Sequence, residues 1–346
     1  MRTSLTLVSV YLLCTATICI AAPQINEIPF VNADKNFHRG IALGMYSQDA
    51  NYDYRHEVDE IANTGATHIS LVVVYFLDTV TATKISAVAG YTPSTENIRR
   101  TLHYAFNKKL KVMLFPIVHI VHRGPGEWRG KLAPPDFGEW FASYKKFITS
   151  MAKLAEECHS ETLVVGTEYV TTETMRDRWL DVISTVRKVF HGKLLYSANW
   201  DHFDPVSFWD AVDMVGVTAY HRLTNNDFEP NVVEMTQAWE PIKRRLHNFQ
   251  KRVNKPIVIT ELGYPSLDGA NVYPWDETRS VAIDLEEQRR CYEAFARAFT
   301  HETWLSGVYF WIWFGPGGSF DRGFTPHGKP AENVIRSFYK QKSSSL

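Results

Sequence analysis

The sequence predicts a single α/β domain, a (β/α)8 or TIM barrel, from three observations. Strand-like and helix-like runs alternate eight times along the chain. The strand-like runs are almost continuously apolar, as expected for strands that helices cover in a parallel sheet. No change in composition marks a linker between two domains. This organisation is typical of one closed barrel, to which we assign residues 23–346.

The segment that precedes the barrel is predicted to be a secretory signal peptide. Within residues 1–22 Arg2 is the only charge, and the small residues Ala21 and Ala22 stand where a signal peptidase would cut. A membrane anchor is the alternative, but the apolar stretch of about 16 residues is shorter than the roughly 20 that cross a bilayer. We therefore expect a secreted, extracellular protein with no membrane attachment after signal cleavage.

The strands and helices follow in order from the apolar pattern. The strand candidates are Arg39–Met45, Thr67–Tyr75, Leu110–Val118, Thr162–Thr167, Leu194–Asn199, Asp213–Ala219, Pro256–Thr260 and Ser306–Trp313. Between them, apolar residues recur at helical spacing, most clearly in segments 141–158, 179–190, 232–253 and 285–299. The loops that leave strands three, six, seven and eight are long. Because all strand exits meet at one end of a barrel, we expect the functional site at that C-terminal rim.

Charge and cysteine content exclude several classes of function. With 37 Lys and Arg against 38 Asp and Glu, the chain has no bulk attraction to nucleic acid. Of the four cysteines, only Cys158 and Cys291 lie outside the signal segment, and a bridge between them and two buried thiols both remain open. His119 and His122 lie on an extended segment, where this spacing turns them to opposite sides. The two histidines therefore do not predict a metal site. We also expect no cofactor and a monomer.

Two glutamates follow apolar strands directly. Glu168 comes after the fourth strand and Glu261 after the seventh, so each carboxylate is expected at the rim of the barrel, pointing over its axis. Two carboxyl groups about 5 Å apart can cleave a glycosidic bond, one as nucleophile and the other as proton donor, with net retention of configuration. A solvated carboxylate paired with Arg or Lys is the alternative for either residue. The placement of both favours catalysis.

Aromatic and polar residues are concentrated at the same strand exits. A sugar ring stacks its apolar face on a flat aromatic side chain while its hydroxyl groups find polar partners, so such a set is typical of a carbohydrate site. Trp311 and Trp313 are two residues apart on the eighth strand and are expected to point to the same side. The predicted substrate-binding residues are Tyr75, His119, Trp128, Asn199, Tyr220, Trp311 and Trp313. Trp200 and Tyr264 also fall at strand exits.

These motifs resemble glycoside hydrolase family 113, whose characterised members are mostly retaining β-1,4-mannanases. The likeness lies in Trp128-Arg129-Gly130, in Val165-Gly166-Thr167-Glu168, in Thr260-Glu261-Leu262-Gly263-Tyr264 and in the eighth strand. It implies that Glu168 is the acid/base and Glu261 the nucleophile. The third strand exit reads Pro116-Ile117-Val118-His119, where family members often carry Pro-His-Val-Asp.

Two functions from different classes follow from these observations. The first is a retaining glycoside hydrolase that cleaves a β-linked polysaccharide or oligosaccharide, with β-1,4-mannan or glucomannan as the expected substrate. The second is a secreted carbohydrate-binding barrel that has lost catalysis. The difference from the family pattern at Ile117 is the reason for considering this second function. An acyl or phosphate hydrolase has no support, because the sequence shows neither a nucleophile elbow nor a set of metal ligands. Turnover of any β-glycoside separates the first function from the second.

Overall fold

The computed structural model describes residues 36–225 and 230–340, which form a closed barrel of eight parallel strands. The strands are β1 His38–Gly44, β2 His68–Leu77, β3 Lys111–Ile120, β4 Thr162–Thr167, β5 Lys193–Ala198, β6 Met214–Thr218, β7 Ile257–Leu262 and β8 Leu305–Trp313. Strand β1 pairs with both β2 and β8, which closes the barrel. The barrel prediction is thereby confirmed, whereas the predicted signal segment 1–22 lies outside the described residues.

Helices follow most of the strands. They are α1 Arg55–Asn63, α2 Thr95–Asn107, α3 Phe137–Glu157, α4 Arg176–Arg187, α5 Val232–Val253, α6 Leu285–Phe299 and α7 Pro330–Tyr339. The connection from β5 to β6 differs from the expected strand-helix unit, because it holds only a short 3₁₀ turn, Trp209–Ala211. No helix in the two described ranges has the length and apolarity needed to cross a membrane.

Two apolar layers explain why the strands read as continuous apolar runs. Leu71 and Val73 of β2 belong to the outer cluster, which also contains helix residues such as Ile98. Val72, between them, belongs to an inner cluster with Phe115 of β3. Successive side chains of a strand point to opposite faces, so a barrel strand needs an apolar residue on both. Each such fully buried side chain contributes roughly 1.5–3 kcal/mol by leaving water.

Helix ends are fixed by capping contacts that the sequence encodes locally. Asn231 and Glu234 form a reciprocal capping box at the start of α5, in which the Asn231 side chain accepts from the Glu234 N–H. The same helix ends at Asn254, which adopts the left-handed conformation expected of a C-terminal cap. These contacts stop α5 just before β7, so that strand begins at a defined position below the site.

The two cysteines of the barrel are free and buried. Cys158 caps the end of α3, whereas Cys291 lies within α6. Burial raises the pKa of the Cys158 thiol to about 11, so this thiol stays protonated at neutral pH. Of the two states that the sequence left open, the structure shows the buried thiols.

Candidate active site

A cavity of about 1050 Å³ opens at the C-terminal ends of the strands, where the sequence predicts the site. Glu168 and Glu261 both line it. Both residues are almost fully buried, with 5% and 1% of their surfaces exposed, respectively. A cavity of this size stands at the upper end of the roughly 300–1,000 Å³ that is typical of ligand sites.

Glu168 is held at the end of β4 in a conformation that few residues adopt. Its φ is 57°, in the left-handed region, which costs of order 1–3 kcal/mol for a residue other than glycine. Neighbouring bonds hold this backbone: the Glu168 N–H donates to the Ser197 carbonyl at 2.8 Å, and the Tyr169 N–H donates to the Tyr196 hydroxyl at 3.1 Å. That hydroxyl in turn donates to the buried Glu173 carboxylate at 2.7 Å. The strained turn aims the Glu168 side chain into the cavity.

The Glu168 carboxylate is bound on both oxygens. The Arg129 guanidinium donates to Oε2 at 2.5 Å and the Thr218 hydroxyl donates to Oε1 at 3.0 Å. Arg129 lies in a short 3₁₀ turn, Arg129–Lys131, in the loop after β3. The Trp128 ring packs so closely over Gly130 that a Cβ there would lie 2.4 Å from the ring. The Trp128-Arg129-Gly130 motif thus forms a compact turn that delivers a guanidinium to the carboxylate.

Glu261 presents a different environment at the end of β7. The Tyr220 hydroxyl donates to its Oε2 at 2.9 Å, and its Oε1 has no hydrogen-bond partner among the described residues. Burial, followed by the negative charge of Glu168, raises the pKa of Glu261 to about 8, whereas Arg129 and the Tyr220 hydrogen bond act in the opposite direction. The two carboxyl groups therefore retain a proton at neutral pH.

The partners of the two carboxylates show that these groups converge. Thr218, which binds Glu168, and Tyr220, which binds Glu261, are two residues apart at the end of β6. Residues two apart on an extended strand share a face and lie about 7 Å from each other. Thr218 also pairs with Glu261 in the sheet register. The end of β6 and the segment that follows it thus hold the two carboxylates next to each other at one end of the barrel.

The raised pKa of Glu261 predicts a pH-dependent stability. The folded chain keeps a proton that the unfolded chain releases above the ordinary pKa of 4.5, so this group makes the folded state progressively less stable from about pH 4.5 to about pH 8. Glutamine cannot ionise, and Glu261→Gln should therefore gain in melting temperature over the wild type across that window. Thermal unfolding at several pH values measures the difference. A difference that stays constant from about pH 5 to about pH 8 would contradict the raised pKa.

Several predicted binding residues lie around the two carboxylates. His119, Trp128, Asn199 and Tyr220 line the cavity. Trp311 also lines it, next to the end of β7, because Gly263 lets the β8 backbone approach. A Cβ on Gly263 would lie only 2.6 Å from the Trp311 carbonyl oxygen. The structure therefore brings together five of the seven residues predicted to bind substrate.

Tyr75 is one of the two predicted residues that the structure places elsewhere. Its ring packs on Phe147 of α3 with the centroids 4.6 Å apart and lines a separate surface pocket. Tyr75 shares the face of β2 that carries Leu71 and Val73, which is the face covered by helices. Position at a strand exit was thus a poor guide to the direction of this side chain. Tyr264 is likewise fully buried rather than part of the cavity wall.

Trp313 is the second residue that lies outside the cavity, and it does not share a side with Trp311. Its indole N–H donates to the Glu60 carboxylate at 2.9 Å, and its ring contacts His327. The expected alternation fails because the register of β8 against β1 shifts between Ile41 and Leu43. An irregularity of this kind re-aims the side chains that follow it. Trp311 alone of the pair contributes to the cavity.

Other residues that shape the cavity are not marked by the sequence pattern. Thr218 and Arg129 bind Glu168 directly, and Tyr46, Trp275 and Glu277 line the walls. Because Thr218 stands two residues before Tyr220, the spacing could have predicted that both side chains point toward the cavity. Arg129 stands in a long loop, where spacing carries no information about the direction of a side chain.

His38, His68 and Glu161 form a group of possible metal ligands away from the cavity, near the N-terminal ends of the strands. The two histidine rings are stacked with their centroids 4.0 Å apart. Glu161 is already paired with the ammonium groups of Lys111 and Lys193. Burial and these surrounding cations lower the pKa of His68 to about 2. Such positive surroundings disfavour a divalent cation, so the residues do not fit a metal centre well.

Taken together, the closed (β/α)8 barrel and the paired glutamates in an aromatic cavity define a glycoside hydrolase. Residues 41–317 match the model of Glycoside Hydrolase Family 113. The chain belongs to that family.

Solved structures agree with this assignment. The chain is similar to a GH113 β-mannanase from Alicyclobacillus acidocaldarius in complex with ManMIm, with 27% identity, a TM-score of 0.79 and coverage of 88% of this chain and 98% of the other. A GH113 β-1,4-mannanase complex matches with 25% identity, a TM-score of 0.79 and coverage of 88% and 99%. A β-glucuronidase from Ruminococcus gnavus shares the fold alone, with 12% identity, a TM-score of 0.60 and coverage of 88% and 50%. Among curated proteins, no sequence match is found.

Proposed function

We propose that this protein is a retaining endo-β-1,4-mannanase in which Glu261 is the nucleophile and Glu168 the acid/base. The observation that carries the proposal is the pair of buried carboxyl groups, which Thr218 and Tyr220 hold next to each other at the ends of β4 and β7. The roles of the two groups are those that the resemblance of the Glu168 and Glu261 motifs to the family implies. Glu261 has one oxygen fixed by Tyr220 and the other without a hydrogen bond, which leaves a lone pair for attack. Glu168 accepts hydrogen bonds from Arg129 and Thr218, and it acts as the donor once the single proton of the pair lies on it.

The first step of the proposed reaction forms a glycosyl-enzyme. Oε1 of Glu261 attacks the anomeric carbon, the glycosidic bond breaks, and Glu168 gives its proton to the departing oxygen. The pair supplies the required single proton, because burial and mutual repulsion disfavour two negative charges in the same site. Positive charge that develops at the anomeric carbon stabilises the ionised form of Glu261, which leaves the shared proton for Glu168.

The second step releases the sugar. Ester formation removes the negative charge of Glu261, and Glu168, now ionised beside Arg129, takes a proton from the water that attacks the anomeric carbon. Two displacements on opposite faces give net retention of configuration. Trp311 supports the sugar ring from the wall of the cavity, and Asn199 and His119 are placed to bind hydroxyl groups.

A polysaccharide panel with product sizing tests the function. We expect β-1,4-mannan or glucomannan to give a ladder of mannose-containing oligomers, and proton NMR of the first product to show the β-anomer. Turnover of other β-glycans but not of mannan would contradict the substrate. Binding of mannan without turnover would favour the carbohydrate-binding barrel instead. An initial α-anomer would contradict the retaining mechanism.

Removing the Tyr220 hydroxyl tests the assignment of the nucleophile. Tyr220→Phe takes away the only hydrogen bond that the described residues provide to the Glu261 carboxylate. That bond lowers the pKa of Glu261, so its loss should raise this pKa further and shift the acid limb of the pH–rate profile upward. We expect kcat/KM to fall roughly 10- to 100-fold, the worth of one lost hydrogen bond to a charged group. An unchanged acid limb would contradict the role of Tyr220.

Secretion and the monomeric state are further parts of the proposal. Residues 1–22 have the composition of a signal peptide. N-terminal sequencing of the protein recovered from the medium should begin at Pro23, and light scattering should give the mass of one chain. Retention of Met1 in the recovered protein would contradict signal cleavage.

A further inference from the structure

His56, Glu60 and His327 line a second surface cavity, which lies beside the catalytic one. This cavity has a volume of about 390 Å³ and opens between α1 and the loop that joins β8 to α7. His56 and Glu60 are four residues apart on α1, so their side chains lie on one face of the helix. His327 belongs to the loop after β8. Two imidazoles and one carboxylate are a set of ligands that zinc binds in proteins.

The distances between these side chains match those between the ligands of a zinc ion. Oε1 of Glu60 lies 3.2 Å from Nε2 of His56 and 3.4 Å from Nε2 of His327. With metal–ligand distances of about 2.0–2.2 Å, neighbouring ligand atoms of a tetrahedral site are roughly 3.3–3.6 Å apart. The distance between the two imidazole nitrogens closes when His56 turns, and its side chain is 80% exposed and free to do so.

Neighbouring groups hold Glu60 and His327 as metal ligands are held. The Trp313 indole N–H donates to Oε2 of Glu60 at 2.9 Å, which leaves Oε1 directed at the two histidines. Nδ1 of His327 has no hydrogen-bond partner among the described residues, and the Glu332 carboxylate lies 3.9 Å from it. A histidine that binds a metal through Nε2 donates its Nδ1–H to a carboxylate of this kind, which orients the ring.

The charges around this cavity favour a cation. Glu57 also lines it, and its Oε2 is buried with no hydrogen-bond partner among the described residues. A buried carboxylate oxygen without a partner is costly unless positive charge compensates for it. At the cluster of His38 and His68, by contrast, two lysine ammonium groups already pair with the carboxylate. Of the two groups of histidines, only the one beside α1 therefore suits a divalent ion.

We propose that His56, Glu60 and His327 bind a zinc ion, with a water molecule in the fourth position and Oε2 of Glu57 as the acceptor for that water. The ion joins α1 to the loop after β8. Residues 314–316 of this loop line both this cavity and the catalytic one. The zinc ion thus stabilises a wall of the catalytic cavity and takes no part in the cleavage of a glycosidic bond.

Calorimetric titration of the tag-free, chelator-treated protein with zinc chloride tests the site. We expect one ion per chain. At a free zinc concentration about 100-fold above the dissociation constant, the melting temperature should rise by about 5 °C. His56→Ala and His327→Ala should each weaken binding at least 100-fold, because loss of a group that only orients a ligand already costs about 10- to 100-fold. His191→Ala removes another exposed histidine that pairs with a glutamate, and this matched control should bind zinc as the wild type does.

Cobalt chloride gives a second measurement that reports on the ligands themselves. Tetrahedral Co²⁺ absorbs visible light strongly, so the wild type should gain a visible band on titration, and His56→Ala should not. Circular dichroism checks the folding of each variant. His56→Ala changes an exposed side chain, so we expect it to unfold at the melting temperature of the zinc-free wild type.

The outcomes do not depend on whether the protein cleaves mannan, because zinc binding is measured without substrate. No binding by the wild type would overturn the site. Weaker binding in only one of the two histidine variants would overturn the proposed set of ligands. If His68→Ala loses the ion and His56→Ala keeps it, the ion belongs to the cluster at the other end of the barrel, and the proposal is wrong.

Discussion

Replacing Glu261 with glutamine is expected to abolish nearly all activity, with kcat lowered on the order of 10⁵-fold. Glutamine keeps the size of the side chain and can keep the Tyr220 contact at Oε2, but it lacks the charge that attacks the anomeric carbon. The effect is large because both displacements pass through the ester on this residue. Steady-state kinetics on mannan, with far-ultraviolet circular dichroism to confirm folding, measures it.

Trapping the ester identifies the nucleophile independently of the rate. An activated 2-deoxy-2-fluoro mannoside should label the wild type with one sugar, and peptide mass spectrometry should find it on the peptide that contains Glu261. Glu277→Gln is the matched control, because Glu277 is another acidic residue that lines the cavity. That variant should be labelled and Glu261→Gln should not. A label on a different peptide would contradict the assignment.

The barrel was predictable because its strands carry a signal that does not depend on distant partners. A strand between the barrel interior and the helices needs an apolar residue at almost every position, as β2 shows with Leu71, Val72 and Val73. Few other environments require that pattern. Alternation with amphipathic segments then leaves little choice of topology. The missing helix between β5 and β6 was not predictable from alternation, because a 3₁₀ turn can replace a helix there without opening the barrel.

The directions in which side chains point at the strand ends were less predictable than the strands themselves. Trp311 and Trp313 obey the period of two only if β8 is regular, and its register against β1 shifts within the pairing. Tyr75 lies at a strand exit, but it is two residues after Val73 and therefore points outward, toward the helices, as Val73 does. A shift of one residue turns every following side chain to the opposite face. Such shifts depend on the neighbouring strand, which the local sequence does not describe.

The acidic pair was predictable, whereas its partners were not. Glu168 directly follows β4 and Glu261 is the last residue but one of β7, so the fold alone places them at the rim. Arg129 reaches Glu168 from the loop after β3, 39 residues away in sequence. Thr218 comes from β6, 50 residues away. These contacts set the charge distribution of the site, and they depend on loop conformations that periodicity cannot predict.

The leaving group decides the effect expected of Glu168→Ala, because the variant lacks the proton donor. On mannan, whose leaving alcohol is a poor one, we expect kcat/KM to fall about 10³- to 10⁴-fold, the upper range for loss of general acid catalysis. On a dinitrophenyl mannoside the bond breaks without a proton, so kcat/KM should fall less than about tenfold. The Arg129 guanidinium loses its partner as well, which leaves a positive charge beside the departing oxygen in both reactions.

Because the unpaired Arg129 charge remains in Glu168→Ala, a second variant that keeps this pairing is needed as a control. Glu168→Gln can keep a hydrogen bond to Arg129 and to Thr218 but cannot give up a proton. If proton donation is the role of Glu168, both variants should show the same steep dependence of kcat/KM on the leaving-group pKa, steeper than that of the wild type. If Glu168 only holds Arg129 in place, Glu168→Gln should recover most of the activity on mannan. Equal losses on the two classes of substrate would rule out proton donation, because removing an acid cannot slow a step that needs none.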